Sequence, residues 1–164
     1  MSHPFIPLTD RSGTVVAHAQ IDETDHAWLS QWQWRFGCRG YAVRSENSRT
    51  PRCVYMHREI LGISQAGRLL QGDHINRNRL DNRKANLRIV DPAGQAQNHS
   101  ARRGSTSPFR GVSWHSVTGK WQARVGLDGR QHHLGVFSTE EEAARIAALF
   151  RIRYMPYATD KVAL

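Results

Sequence analysis

The sequence predicts an α+β protein: a β-rich N-terminal part followed by a small three-stranded antiparallel sheet with one helix on its back. Three observations carry this. Residues 5–60 hold several short runs of aromatic and β-branched residues, the composition that suits a pleated, half-buried surface. In KWQARVGL, Trp121, Ala123, Val125 and Leu127 alternate with Gln122, Arg124 and Gly126, so one face is apolar and the other polar. Downstream, STEEEAARIAALFRIRY has the acidic opening and basic end that suit a helix dipole.

The elements follow in order. IPLTDRSGTVVAHAQI predicts two strands joined by a turn at Asp10-Arg11-Ser12-Gly13. Asp22 to Leu29 predicts a short helix capped by Asp22 or Thr24. WQWRF and GYAVR read as strands, with Trp28, Trp32 and Trp34 expected in the core, while Cys53 to Leu61 fits either strand or helix. After Val90, Asp91 suits an N-cap and Pro92 a first helical position, although Gly94 weakens that helix. HSARRGSTSP has linker composition. The expected domains are therefore residues 1–103 and 108–164, joined by 104–107. In the second, FRGVSWH, KWQARVGL and RQHHLGVF read as strands, with turns at Thr118-Gly119 and Asp128-Gly129. Ser138 and Glu141 form a capping box, and Ala143, Ile146 or Ala147, and Phe150 give the helix its apolar stripe.

Charge narrows the partner. Of 164 residues 23 are Lys or Arg and 14 are Asp or Glu, a net charge of +9. Residues 71–107 carry 7 basic and 3 acidic side chains, the densest excess in the chain. Arg outnumbers Lys 20 to 3, which favours forks onto phosphate and guanine over generic charge. The balance points to nucleic acid. Two cysteines, Cys38 and Cys53, exclude a four-thiolate zinc site and make a secreted disulfide framework unlikely on composition. No apolar run approaches a membrane span. A soluble, cytoplasmic protein with no membrane role and no obligatory protein partner is expected.

The chemistry concentrates in GDHINRNRLDNRKANLRIV, residues 72–90, where only six of nineteen positions are apolar. Asp73 supplies a hard oxygen for a divalent cation, and His74 can act as a general base near neutral pH. Asn86, twelve residues on, can hold the imidazole in one tautomer if the two segments pair. The asparagines Asn76, Asn78 and Asn82 suit turn formation. By spacing and composition alone the stretch reads as structure rather than catalysis, because Asn-rich loops usually serve turns.

Resemblance shifts that balance. MHREIL at 56–61, DHINRNRLDNRKANLRIV at 73–90 and QAQN at 95–98 resemble the HNH endonucleases of the ββα-metal fold, in particular the phage and homing types, over about residues 55–100. The resemblance implies that His74 is the general base, that Asp73 is a metal ligand and that Asn86 orients His74. It places the second metal ligand at Gln95 by spacing or Asn98 by chemistry, with His99 one turn further on. His57 matches the MHR element, as site support or as a packed structural histidine. The implied reaction is hydrolysis of duplex DNA with one divalent ion, Mg²⁺ or else Mn²⁺, leaving 5′-phosphate and 3′-hydroxyl ends. Arg77, Arg79, Arg83 and Lys84 would hold phosphates. One module per chain suggests nicking by a monomer. Gln95 stands where the family expects Asn or His, so the rival is a DNA-binding protein whose nuclease site has decayed.

A second resemblance covers Pro108 to Tyr157. FRGVSW, GKWQARV and LGVFSTEEEAARIAALF are similar to the DNA-binding domain of the plant ethylene-response-factor, or APETALA-type, family. That implies a sheet laid in the major groove. Arg110, Trp114, Gln122 and Arg124 match the reading face, and Lys120, Arg130 and His132 the phosphate contacts.

Overall fold

The computed structural model describes residues 3–46, 52–67, 69–101 and 104–160. The fold is α+β, with four α-helices and three separate sheets among the described residues. Two compact units divide the chain, Met1–Pro92 and Ala93–Leu164. This division falls before the linker expected at 104–107. Residues 93–97, in the helix expected to close the first domain, group with the second unit.

In the first unit, β1 (Phe5–Thr9) and β2 (Val15–Gln20) form the expected hairpin. Its turn is tied by Asp10 Oδ1, which accepts from the Ser12 amide (2.8 Å), the Ser12 hydroxyl (2.6 Å) and the Thr14 amide (3.1 Å). Helix α1 (Glu23–Leu29) follows, then β3 (Trp34–Phe36), β4 (Ala42–Glu46) and β5 (Arg52–Tyr55). The strands order as β2-β1-β3-β4-β5, with β1 and β3 parallel and the other pairs antiparallel. Their shared core is Ile6, Leu8, Ala19, Ile21, Leu29, Trp34, Ala42 and Met56. Each fully buried Leu or Ile there contributes about 1.5–3 kcal/mol by leaving water.

Three local expectations change. Trp34 is core, and its indole donates to the Leu29 carbonyl (2.9 Å), but Trp32 is 47% exposed and lies 4.3 Å beneath the Arg44 guanidinium. Arg44 in turn forks onto Glu59 (2.7 and 3.2 Å), so the aromatic is a platform for a paired cation. Asp22 sits at the α1 N-cap, but its side chain does not bond that helix. Its Oδ2 accepts from the Lys84 amide instead (2.8 Å). The ambiguous stretch 53–61 is both elements in turn: β5 ends at Tyr55, and α2 (Met56–Ile60) begins where Met56 drops into the core.

The polar centre forms a two-stranded sheet of its own, β6 (Gln71–His74) against β7 (Leu87–Val90), antiparallel with Asp73 opposite Arg88 and His74 opposite Leu87. A 3₁₀ turn, η1 (Lys84–Asn86), leads into β7.

In the second unit, α3 (Pro92–Gln97) precedes β8 (Val112–His115), β9 (Lys120–Leu127), β10 (Arg130–Phe137) and α4 (Glu140–Tyr154). The sheet order is β10-β9-β8, all antiparallel. Asp128 and Gly129 both have positive φ (51° and 72°), which the two-residue turn between β9 and β10 requires and the Asp-Gly pair anticipates. Ala143 and Ala147 of α4 pack on Val112, Ala123, Val125 and Met155. The helix starts one residue later than the Ser138 box implies. Thr139 is the N-cap, its hydroxyl accepting from the Glu142 amide (3.2 Å). Arg151, read from the sequence as a cation for the helix end, is buried. It forks onto Asp160 (2.7 Å twice) and donates to the Arg110 carbonyl (2.9 Å).

Candidate active site and nucleic-acid face

The β6–β7 hairpin buries Asp73 and His74 side by side in sequence. Asp73 is held by its cross-strand neighbour: Arg88 Nε and Nη2 both donate to Oδ2 (2.9 and 2.7 Å). His74 Nε2 lies 3.3 Å from Asn82 Oδ1. The structure therefore sets Asn82 against the ring, rather than Asn86. Asn86 does a different job, accepting from the Asn76 amide (2.9 Å) and donating to the Asp81 carbonyl (2.7 Å). Its own carbonyl accepts from the Ile75 amide (2.8 Å), so Asn86 staples the loop between the two strands.

Behind His74 stands a second imidazole. His57 of α2 is 6% exposed, its ring centre 5.0 Å from that of His74. Tyr41 flanks both rings, at 5.1 Å from His57 and 5.8 Å from His74. His57 can approach because residue 72 is glycine: a Cβ there would stand 2.6 Å from His57 Cδ2. Burial, then the neighbouring His74 and Arg58, push His57 down to about 3. Burial also lowers His74 below the usual imidazole range, against the upward pull of the Asn82 hydrogen bond and the Asp73 and Asp81 carboxylates. Both rings are neutral near pH 7, the state a proton acceptor needs.

The basic residues of the loop divide by their partners. Arg83 forks onto Asp81 (2.7 Å twice), and that fork holds the Asp81 carboxyl below its ordinary range. Lys84 Nζ donates to Asp25 (2.8 Å). Arg79 stacks 4.7 Å over Tyr41 and donates to the Arg39 carbonyl (2.5 Å). Arg77 stands at φ 65°, its amide donating to the His74 carbonyl (2.9 Å). Arg83 and Lys84 thus brace the loop through the buried carboxylates of Asp81 and Asp25. Of the residues expected to complete a metal site, Gln95 lies on α3, and Asn98 accepts a hydrogen bond from the Thr159 hydroxyl (2.6 Å), both in the second unit. His99 lines a concavity with Arg110, Ser113 and Arg124. Among the described residues no group of three His, Cys, Asp or Glu could hold a metal ion.

The C-terminal sheet sorts its candidates by register. Cross-strand partners share a face. Gln122 opposite Ser113 and Val136, Arg124 opposite His133, and Lys120 opposite His115 lie on the side away from α4. Trp114 pairs with Trp121, His132 with Val125 and Arg130 with Leu127, so these three belong to the helix side. Trp114 is 48% exposed and meets Trp121 edge to face at 5.3 Å, and His132 lies 5.1 Å from the Phe150 ring. Gln122 is 5% exposed with its amide 3.4 Å from His133 Nε2. Arg110 precedes the sheet and donates to the Gln97 and Ala96 carbonyls. Lys120 and Arg124 are the exposed cations of the open face, joined by His115 and His133, which the sequence reading did not single out. His133 lies opposite Arg124 in the register that runs unbroken from the turn at 128–129, ahead of the bulge at 133–135.

The chain is 30% identical over 147 residues to an uncharacterized HNH endonuclease of Acanthamoeba polyphaga mimivirus, covering 87% of this chain and 72% of that protein. The chain belongs to the HNH endonuclease family. It is also 30% identical over 81 residues to Protein 3.8 of Escherichia phage T7, 49% of this chain and 64% of that one. Over 50 residues it is 44% identical to the AP2-like ethylene-responsive transcription factor PLT2 of Arabidopsis thaliana, 29% of this chain and 9% of the plant protein. No family model and no solved structure matches. No helix among the described residues is long and apolar enough to cross a membrane.

Proposed function

We propose that the protein is a divalent-metal-dependent endonuclease that cuts phosphodiester bonds in duplex DNA, with the β8–β10 sheet holding the duplex. The observation that carries this is the hairpin pairing of a buried carboxylate, Asp73, with a neutral imidazole, His74, whose Nε2 faces an amide oxygen. A merely packed histidine would sit among apolar groups. His74 instead feels Asp73, Asp81, Asn82 and Arg79. The HNH endonuclease similarity supports the reaction class, and the AP2-like similarity supports DNA as partner.

In this reading His74 takes the proton of the attacking water. Its neutral ring is the acceptor, and Nε2 stays occupied by Asn82 so that Nδ1 does the work. Asp73, held in place by the Arg88 fork, is the carboxylate ligand of the ion. Gln95 and Asn98 supply candidate amide oxygens. Mg²⁺ or Mn²⁺ suits such hard oxygen donors, and when bound would supply charge stabilisation for the scissile phosphate and the leaving 3′ oxygen. Lys120 and Arg124 make the phosphate or base contacts of the open face, and no carboxylate opposes them across the sheet.

Nicking of supercoiled plasmid in Mg²⁺ or Mn²⁺, measured for the wild type and His74→Ala, tests the chemistry. The expected loss in the variant is about 10²–10⁴-fold. A wild type that binds duplex but nicks nothing would hand the protein to the decayed-scaffold reading. Separately, Arg124→Ala is expected to weaken duplex binding and lower the salt slope by about one.

A further inference from the structure

We infer that Asn82 is the positioning residue of His74, and that the N-terminal five-stranded sheet fixes it there; the inference deepens the nuclease reading and rests on it for its kinetic consequence. Asn82 is 1% exposed, and its Oδ1 faces His74 Nε2 at 3.3 Å. Its backbone is not part of the hairpin. The Asn82 amide donates to the Gln20 carbonyl (2.7 Å), the Gln20 amide donates to the Leu80 carbonyl (2.7 Å), and Asp81 bridges Gln20 in parallel. Residues 80–82 thus extend the end of β2 by a short strand-like pairing. Asp81 anchors the same point through Arg83 and through Asn76, whose Nδ2 donates to Oδ2 (2.8 Å).

The chemistry follows from which atom faces the ring. An amide oxygen at Nε2 accepts from Nε2–H, which puts the proton on that nitrogen and the lone pair on Nδ1. The reversed amide would select the other tautomer. Asn82 Nδ2 is buried with no hydrogen-bond partner among the described residues. Such a donor carries a desolvation cost, which leucine, similar in size, would not incur. The oxygen facing the imidazole is the return for that cost. Asn86, its amide spent across the loop, shapes the hairpin instead.

Long-range ¹⁵N–¹H NMR of the full-length, metal-free protein reads the tautomer directly, with His74→Gln assigning the signal. The wild type is expected to carry Nε2–H. In Asn82→Ala the ring becomes a mixture of tautomers, and Asn82→Asp, which restores the acceptor, restores Nε2–H. In nicking assays kcat falls about 10–100-fold in Asn82→Ala with KM little changed, and Asn82→Asp recovers most of it. Asn86→Ala leaves the tautomer as it was and lowers thermal stability. If Asn82→Ala does not fold, Asn82→Leu carries the same test. A ring that stays Nε2–H in the Ala or Leu variant, or that changes only in Asn86→Ala, overturns the inference. A wild type with the expected tautomer but no nicking removes the nuclease reading and leaves the positioning role standing.

Discussion

The β6–β7 hairpin and the β8–β10 sheet use polar residues in opposite ways. The hairpin turns them inward: Asp73, His74, Asp81, Asn82 and Asn86 are all buried. The sheet keeps an apolar layer against α4 and turns Lys120 and Arg124 to its open side. A buried polar group is tolerable only when its partners are built in, and the hairpin builds them in for Asp73, Asp81 and Asn86. The open face carries few internal bonds and keeps its cations for something outside. Chemistry requires the first arrangement and recognition the second.

That contrast can be broken at several points. The largest stability effect is expected where the second unit departs from its own rule, at buried Arg151. Arg151→Met strands Asp160 and the Arg110 carbonyl and should cost about 3–5 kcal/mol in denaturant unfolding. A loss under 1 kcal/mol would mean the ion pair is ornamental. In the hairpin, Gly72→Ala drives a Cβ against His57 and should cost about 1–3 kcal/mol. Its nicking rate should fall with it, because His57 and His74 are in ring contact.

The His57 pocket behind the hairpin should also be acid-sensitive. His57 titrates near 6.5 when unfolded but at about 3 when folded, so between those values the unfolded chain binds a proton that the folded one does not. Stability is therefore complete above pH 6.5 and declines as pH falls toward 3, by up to about 1.4 kcal/mol per unit. Unfolding measured from pH 7 to 4 should show this slope, and His57→Gln should flatten it. An unchanged slope in that variant would place the acid sensitivity elsewhere. The smallest effect belongs to the helix cap. Thr139→Ala should cost about 1 kcal/mol, and Ser138→Ala much less. Equal losses would restore the Ser138 box.

What the sequence made legible follows physical range. Period-two alternation in KWQARVGL and the Asp-Gly turn are local signals, and both led to the strands observed. The hairpin of residues 72–90 was readable because Asp73 and Asn86 lie in one short stretch. Three features escaped. Which asparagine meets His74 depends on Gln20, sixty-two residues before Asn82, and no spacing within the motif encodes that. The faces of Trp114 and His132 depend on their pairing register with Trp121 and Val125 of β9, which neither strand's own residues encode. Trp32 escaped for a related reason: an aromatic among aromatics reads as core, and only the Arg44–Glu59 pair gives it another role.

The tie from β2 to residues 80–82 bears on protein engineering. A graft of the Asp-His motif bounded at residues 55–100 would carry the hairpin and its Asn86 staple but leave behind the Gln20 carbonyl. The transplanted imidazole would then sit in a hairpin of the right shape with nothing fixing its tautomer. The portable unit is the sheet and the hairpin together, starting at β1.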